Sequence, residues 1–126
     1  MSMRSDLGKV RGLGAAHDGT EHFWMQRVTA VANVPLVIFL IWFLISHGGA
    51  SHADVVASFK SPLIAFPMAL AVISVCWHMR LGLQVVIEDY VHAPGLKIAS
   101  LILNNFYAFG LGAVAVFAIL KMNFGA

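Results

Sequence analysis

The sequence is poor in charged residues and in cysteine. Only 11% of its 126 residues are charged and 60% are hydrophobic, whereas a soluble domain has roughly 25% charged and 45–50% apolar residues. So few polar side chains would not cover a water-soluble globule, and we expect the surplus apolar surface to face lipid. The single cysteine, Cys76, lies in an apolar run. An intrachain disulfide and a cysteine cluster for zinc or an iron–sulfur centre are therefore excluded.

Charge of one sign is not concentrated anywhere in the chain. Eight Lys and Arg residues against six Asp and Glu give a formal net charge of +2, and the basic residues form no stripe that would indicate nucleic-acid binding. The sequence also has no nucleophile–base pair, phosphate-binding loop or metal cluster. We therefore expect no catalysis by this chain alone.

Three long uncharged stretches predict three transmembrane helices. The first, residues 28–46, would be about 28 Å long, close to the roughly 30 Å hydrocarbon core of a bilayer. The second begins near Pro62 and reaches about residue 83, and the third covers about 98–120. Ten-residue alternating segments are lacking, so a membrane β-barrel is not expected. The expected fold is an all-α membrane protein, with a polar segment 1–27 before a three-helix membrane domain 28–126.

Basic residues near the span ends predict the orientation. Six of them fall on one side of the membrane and two on the other: Arg4, Lys9, Arg11, Arg27, Arg80 and Lys97 against Lys60 and Lys121. The positive-inside rule then makes the N-terminus cytoplasmic. The first apolar run is too long for a secretory signal peptide, so we expect it to be a retained anchor. Between the first two spans, Ser51-x-x-Asp54 predicts a short capped helix at the outer interface.

Among the residues of the three spans, His78 is the strongest indication of a functional site. It lies late in the second apolar run, where an ionisable side chain is costly. Gly82 at i+4 and Asp89 at i+11 share its stripe of the helix, and Gly82 leaves the clearance that a flat macrocycle liganded by the imidazole needs. The same spacing also suits a histidine and a glycine that serve only helix packing. Three histidines lie in polar segments outside the spans, where a solvated or interfacial role is expected: His17, His47 and His52.

A haem ligated by His78 would need a second axial ligand on the opposite face of the ring. His92 is fourteen residues further along, about 21 Å if the helix persists. The interiors of the first and third spans contain no histidine. A bis-histidine haem would therefore be shared with another polypeptide.

Four further residues lie on the predicted cytoplasmic side. Asp89 and Tyr90 end the second helix, where they either belong to an interfacial belt or supply a proton path and a hydrogen-bond donor to a quinone. His22 and Arg27 precede the first span. Orientation alone accounts for Arg27, but both are also placed to pair with haem propionates.

Other polar residues of the second and third spans are expected to serve lipid contact and packing. Arg80 is predicted to extend to lipid headgroups. Four residues of the third span are predicted to support interhelical hydrogen bonding and close packing: Asn104, Asn105, Gly110 and Gly112.

Two segments carry a resemblance to a known family. His78-x3-Gly82-x6-Asp89-Tyr90, within HMRLGLQVVIEDYVH, resembles the second-helix signature of the hydrophobic membrane anchor (D subunit) of succinate dehydrogenase, respiratory complex II. GTEHFWMQRVTAVANVPL is similar to the N-terminal segment of alphaproteobacterial forms of that subunit. With three spans and this length, the resemblance covers essentially the whole chain.

The resemblance implies a function in electron transport and the tricarboxylic acid cycle. The chain would hold a flavoprotein and an iron–sulfur subunit at the bacterial inner membrane. It would also form half of a two-subunit helical bundle with a companion cytochrome b556-type anchor, around one haem b and a ubiquinone site. By position, His78 corresponds to the axial ligand of the haem iron, Tyr90 and Asp89 to the ubiquinone site, and Arg27 to the arginine near the propionates, with His22 a further propionate candidate.

Two other functions are also compatible with the sequence. One is a cofactor-free membrane interaction or transport subunit, in which His78, Glu88 and Asp89 form a proton or cation relay. The other is the anchor of a fumarate reductase, which shares the architecture and runs the chemistry towards fumarate.

Overall fold

The computed structural model describes residues 5–12 and 18–125, so Arg4 and His17 lie outside the described residues. Within these ranges the chain forms five helices and no strand. Their bounds are α1 Asp6–Val10, α2 Asp18–Ser46, α3 His52–Phe59, α4 Pro62–Tyr90 and α5 Pro94–Asn123. The predicted all-α fold is confirmed.

The three long helices extend beyond the uncharged stretches that predicted them. They contain 29, 29 and 30 residues, or about 45 Å each, which exceeds the thickness of the hydrocarbon core. Proline in the first turn of α4 and of α5 suits a helix start, because the missing N–H would have no helical partner there. All three helices are long and apolar enough to cross a membrane. The chain is therefore a multi-pass integral membrane protein.

Helix α4 is the centre of the bundle. It packs against α2 on one side and α5 on the other, while α3 contacts α4 and α5. Little of the most apolar 18-residue stretch of each long helix is buried within the chain: 11% in α2, 17% in α4 and 17% in α5. Most of the apolar surface therefore remains available to lipid or to other polypeptides.

The short helix α3 has the predicted capping box. The Ser51 hydroxyl oxygen accepts a hydrogen bond from the Asp54 backbone N–H at 3.2 Å, and the Asp54 carboxylate accepts one from the Ser51 backbone N–H at 3.3 Å. Hydrogen bonding from the Ser51 hydroxyl, followed by that from its backbone N–H, lowers the pKa of Asp54 below its ordinary value. The sequence pattern alone was sufficient to locate this helix, because both partners of the box lie within three residues.

Side chains from the C-terminal ends of α2 and α5 hold α3 in place. His47, just after α2, has its Nε2 atom 2.7 Å from the Ser58 hydroxyl oxygen and its ring stacked on Phe43, with centroids 4.1 Å apart. At the end of α5, the Asn123 amide donates to the Phe59 carbonyl at 2.8 Å. His47 is therefore a docking residue for α3, which the sequence did not reveal.

Candidate functional site

His78 faces α2 and contacts Thr29 there. The Nδ1 atom of His78 lies 2.9 Å from the Thr29 hydroxyl oxygen. Thr29 is only 8% exposed, and its hydroxyl also donates to the carbonyl of Met25, one turn earlier, at 2.7 Å. One ring nitrogen of His78 is thus engaged inside the bundle.

The other ring nitrogen of His78 is not engaged. Within residues 5–12 and 18–125, no atom is hydrogen-bonded to Nε2, and Nε2 is not among the buried polar atoms without a partner. A Cβ added at Gly82, one turn along the same stripe, would meet no atom of the described residues within 4 Å. An imidazole held at Nδ1 with an open Nε2 suits metal ligation from outside the chain, and the clearance beside Gly82 fits a flat group.

His22 lies on the same face of α2 as Thr29, two turns nearer the N-terminus. With Trp77, Arg80 and Gln84 it lines a cavity of about 180 Å³ between α2 and α4. The Nε2 atom of His22 and the Nε1 atom of Trp77 are buried without a hydrogen-bond partner in the described part of the chain. Buried polar atoms are normally paired, so these two atoms fit contact with a polar group that the chain itself does not supply.

Arg27 is not brought to this cavity. It is exposed on α2, and its guanidinium carbon lies 3.9 Å from the centroid of the Phe23 ring. At 100° per residue, Arg27 is on the opposite side of α2 from Thr29. The two propionate candidates, His22 and Arg27, therefore occupy different faces of the helix.

Arg80 does not extend to lipid headgroups as we expected. Its Nε atom donates to the side-chain carbonyl of Asn105, and the guanidinium carbon is 5.6 Å from the ring centroids of both Trp77 and Phe109. The Asn104 amide donates to the Arg80 backbone carbonyl at 2.9 Å. The prediction for Arg80 is wrong because a partner on α5 lies within reach, whereas the interhelical roles of Asn104 and Asn105 are confirmed.

Close packing of α4 and α5 is confirmed at one of the two predicted glycines. A Cβ built at Gly112 would be 3.7 Å from Cys76, an ordinary contact distance, while one built at Gly110 would meet nothing within 4 Å in the described part of the chain. Only Gly112 therefore marks an approach of the two helices.

Asp89 and Tyr90 lie at the exposed end of α4. Tyr90 is 77% exposed, and no hydrogen bond to its hydroxyl or to the Asp89 carboxylate occurs within the described residues. They follow His78 by eleven and twelve residues, or about 17 Å along the helix axis. Nearby, Lys97 at the start of α5 donates to the Glu88 backbone carbonyl at 3.0 Å. Both candidate quinone residues are thus free to meet a group outside the chain.

The candidate residues of α4 therefore lie at two positions along the helix. His78 and Gly82 lie within the span and contact α2, and Asp89 and Tyr90 lie at its end. Thr29 is the residue that the sequence missed. A polar side chain in an apolar span was the available signal, but its partner on α4 was not deducible from spacing.

Comparison with known proteins assigns the family. The model of the succinate dehydrogenase/fumarate reductase transmembrane subunit family matches residues 1–119. The chain belongs to this family. It is 34% identical over 117 residues to the succinate dehydrogenase hydrophobic membrane anchor subunit of Paracoccus denitrificans, covering 93% of this chain and 90% of that protein.

Further relatives carry the same description. The succinate dehydrogenase hydrophobic membrane anchor subunit of Rickettsia bellii (strain RML369-C) is 32% identical over 94 residues, 75% of each chain. The succinate dehydrogenase membrane anchor subunit of Reclinomonas americana is 32% identical over 89 residues, 68% of this chain and 73% of that protein. No solved structure matches the chain. The predicted resemblance to the anchor subunit of succinate dehydrogenase is confirmed, and the anchor role follows from it.

Proposed function

We propose that this anchor subunit ligates haem b through Nε2 of His78, together with a ligand from a companion cytochrome b556-type anchor subunit. The observation that carries the proposal is the state of the imidazole, which is bonded to Thr29 at Nδ1 and open at Nε2. The absence of histidine from residues 28–46 of α2 and from α5 supports a shared site. Haem b supplies one-electron transfer when it is bound.

The chain's cations and polar groups supply the remaining contacts in this proposal. His22 presents a buried unpartnered Nε2 atom on the α4-facing side of α2, which suits a hydrogen bond to a propionate. Arg27 would reach a propionate only from the other face of α2, beyond its contact with Phe23. Of the two propionate candidates, His22 therefore has the stronger structural support.

Ubiquinone is the proposed electron acceptor of the complex, and its headgroup would bind at the end of α4. Reduction of a quinone consumes two electrons and two protons. Tyr90 would donate a hydrogen bond from its exposed hydroxyl to a quinone carbonyl oxygen. Asp89, exposed beside it, would pass protons from the cytoplasmic water to the reduced oxygen atoms.

The proposed assembly includes a flavoprotein that oxidises succinate and an iron–sulfur subunit that relays electrons. The family covers both succinate dehydrogenases and fumarate reductases, and the named relatives are succinate dehydrogenase subunits. We therefore propose succinate oxidation as the working direction. We also propose the bacterial inner membrane as the location, with a cytoplasmic N-terminus, since the basic residues are concentrated on that side.

The haem assignment is tested by replacing His78 with alanine in the purified complex. We expect the b-type band in the reduced-minus-oxidised spectrum to be lost or strongly altered. The matched control is His92→Ala, since His92 is exposed and its Nδ1 atom lies 3.0 Å from the nearby Tyr90 carbonyl oxygen. A spectrum and haem content unchanged by His78→Ala would refute the assignment, and a wild-type complex without haem would favour the cofactor-free alternative.

The quinone assignment is tested by Tyr90→Phe, which removes only the hydroxyl. Succinate–quinone turnover should fall while succinate oxidation by a soluble dye acceptor is retained. Tyr107→Phe is the matched control, because Tyr107 is also exposed but lies in the middle of α5. Equal loss of both activities in Tyr90→Phe would indicate a damaged assembly and would count against the assignment.

A further inference from the structure

The hydroxyl of Thr29 can donate only one proton, and its surroundings determine where that proton goes. Its oxygen is 2.7 Å from the Met25 carbonyl and 3.1 Å from the Gln26 carbonyl. Carbonyl oxygens only accept hydrogen bonds, so the Thr29 proton is directed to the backbone of its own helix. This bond to the preceding turn is a common arrangement for threonine in a helix.

The contact with His78 must then run in the opposite sense. Because the Thr29 hydroxyl donates its proton to a backbone carbonyl of α2, the Nδ1 atom of His78 is the donor and the Thr29 oxygen is the acceptor across the 2.9 Å contact. A neutral imidazole carries a proton on one ring nitrogen only. With that proton on Nδ1, the lone pair is on Nε2, the nitrogen that is open to the outside of the chain.

We propose that Thr29 is a positioning residue for haem binding: it fixes the Nδ1–H tautomer of His78 and thereby leaves Nε2 as the nitrogen that would hold the haem iron. This inference rests on the proposed haem ligation by His78. A hydrogen bond from the distal N–H of a ligating histidine fixes the ring orientation and increases its basicity. Thr29 would therefore influence both the retention of the haem and its reduction potential without touching it.

The α2–α4 interface contains a second polar contact that separates this role from simple helix packing. The Ser74 hydroxyl donates to the Asn33 side-chain carbonyl at 2.7 Å. Asn33 is one turn after Thr29 and Ser74 is one turn before His78. Removal of the Ser74 hydroxyl breaks a bond between the same two helices and leaves the His78 ring untouched.

The test compares Thr29→Val, Thr29→Ser and Ser74→Ala in the purified complex. Valine keeps the shape of threonine but removes the acceptor, so the imidazole donates less electron density to the iron and the ferric state is less favoured. We expect the haem midpoint potential to shift to more positive values and haem retention against a competing apoprotein to weaken about tenfold or more. Serine keeps the hydroxyl, so Thr29→Ser should have the wild-type midpoint potential and haem retention. Ser74→Ala should leave the potential unchanged.

Several outcomes would overturn the inference. One is a wild-type potential and haem retention in Thr29→Val; another is an equal shift in Ser74→Ala, which would indicate helix packing alone. Thr29→Ala serves as the second acceptor-free variant, and failure of both it and Thr29→Val to assemble would make Thr29 a folding residue instead. His78→Ala separates the haem proposal from the inference about Thr29. If His78→Ala removes the haem while Thr29→Val behaves as wild type, the proposed ligation stands and only the role of Thr29 fails.

Discussion

Replacement of His47 by alanine should release α3 from the end of α2. The His47 ring accounts for two hydrogen bonds, Nδ1 to the Phe43 carbonyl at 3.0 Å and Nε2 to Ser58 at 2.7 Å, and for the stacking on Phe43. Each hydrogen bond contributes about 0.5 kcal/mol at this half-exposed position, and the stacked pair contributes about 1 kcal/mol. The free energy of opening α3 should therefore fall by about 2 kcal/mol.

Hydrogen exchange of the α3 backbone amides in the assembled complex measures this opening. A loss of about 2 kcal/mol corresponds to exchange about 30-fold faster. His47→Phe keeps an aromatic ring against Phe43 but removes both hydrogen bonds, so it should produce an intermediate effect. An acceleration of less than about threefold in His47→Ala would refute the reasoning, because the packing of Phe59 against Phe43 and the bond from Asn123 would then be sufficient to hold α3.

Three further predictions concern packing and capping. Asn123→Ala should speed exchange at the end of α3 about fivefold, since the bond to the Phe59 carbonyl contributes about 1 kcal/mol. Gly112→Ala should keep the melting temperature of the complex, because its Cβ would meet Cys76 at 3.7 Å, whereas Gly112→Leu should lower it. Below pH 3.8, exchange in α3, corrected for intrinsic rates, should accelerate as the lowered pKa of Asp54 is passed; Asp54→Asn should abolish this dependence.

Sequence reasoning was sufficient for features that depend on local composition. Hydropathy located the three long helices because a span requires about twenty apolar residues whatever its neighbours are. The cost of an ionisable group in a bilayer singled out His78. The capping box located α3 because both of its partners are three residues apart.

Features that depend on the register between helices were not accessible in this way. Thr29 and His78 are 49 residues apart, and nothing in either local pattern specifies that they meet. Arg80 was misjudged for the same reason, since the rule for lysine and arginine at membrane interfaces assumes a side chain without a nearby partner. Arg80 does have such a partner, since it is bonded to Asn105, so the rule does not apply to it.

The polar contact between Thr29 and His78 explains how one chain can present an open imidazole. Apolar side chains specify register poorly in lipid, since tails and side chains are equally apolar, whereas interhelical hydrogen bonds occur at defined positions. Thr29–His78 is such a pair and holds the imidazole itself, while Asn33–Ser74 lies one turn away along both helices. Helix α5 is attached through Arg80, two residues beyond His78 and on the opposite side of α4. Because α5 packs on that other side, it does not cover the stripe of His78 and Gly82, and this stripe remains available to a group shared with another polypeptide.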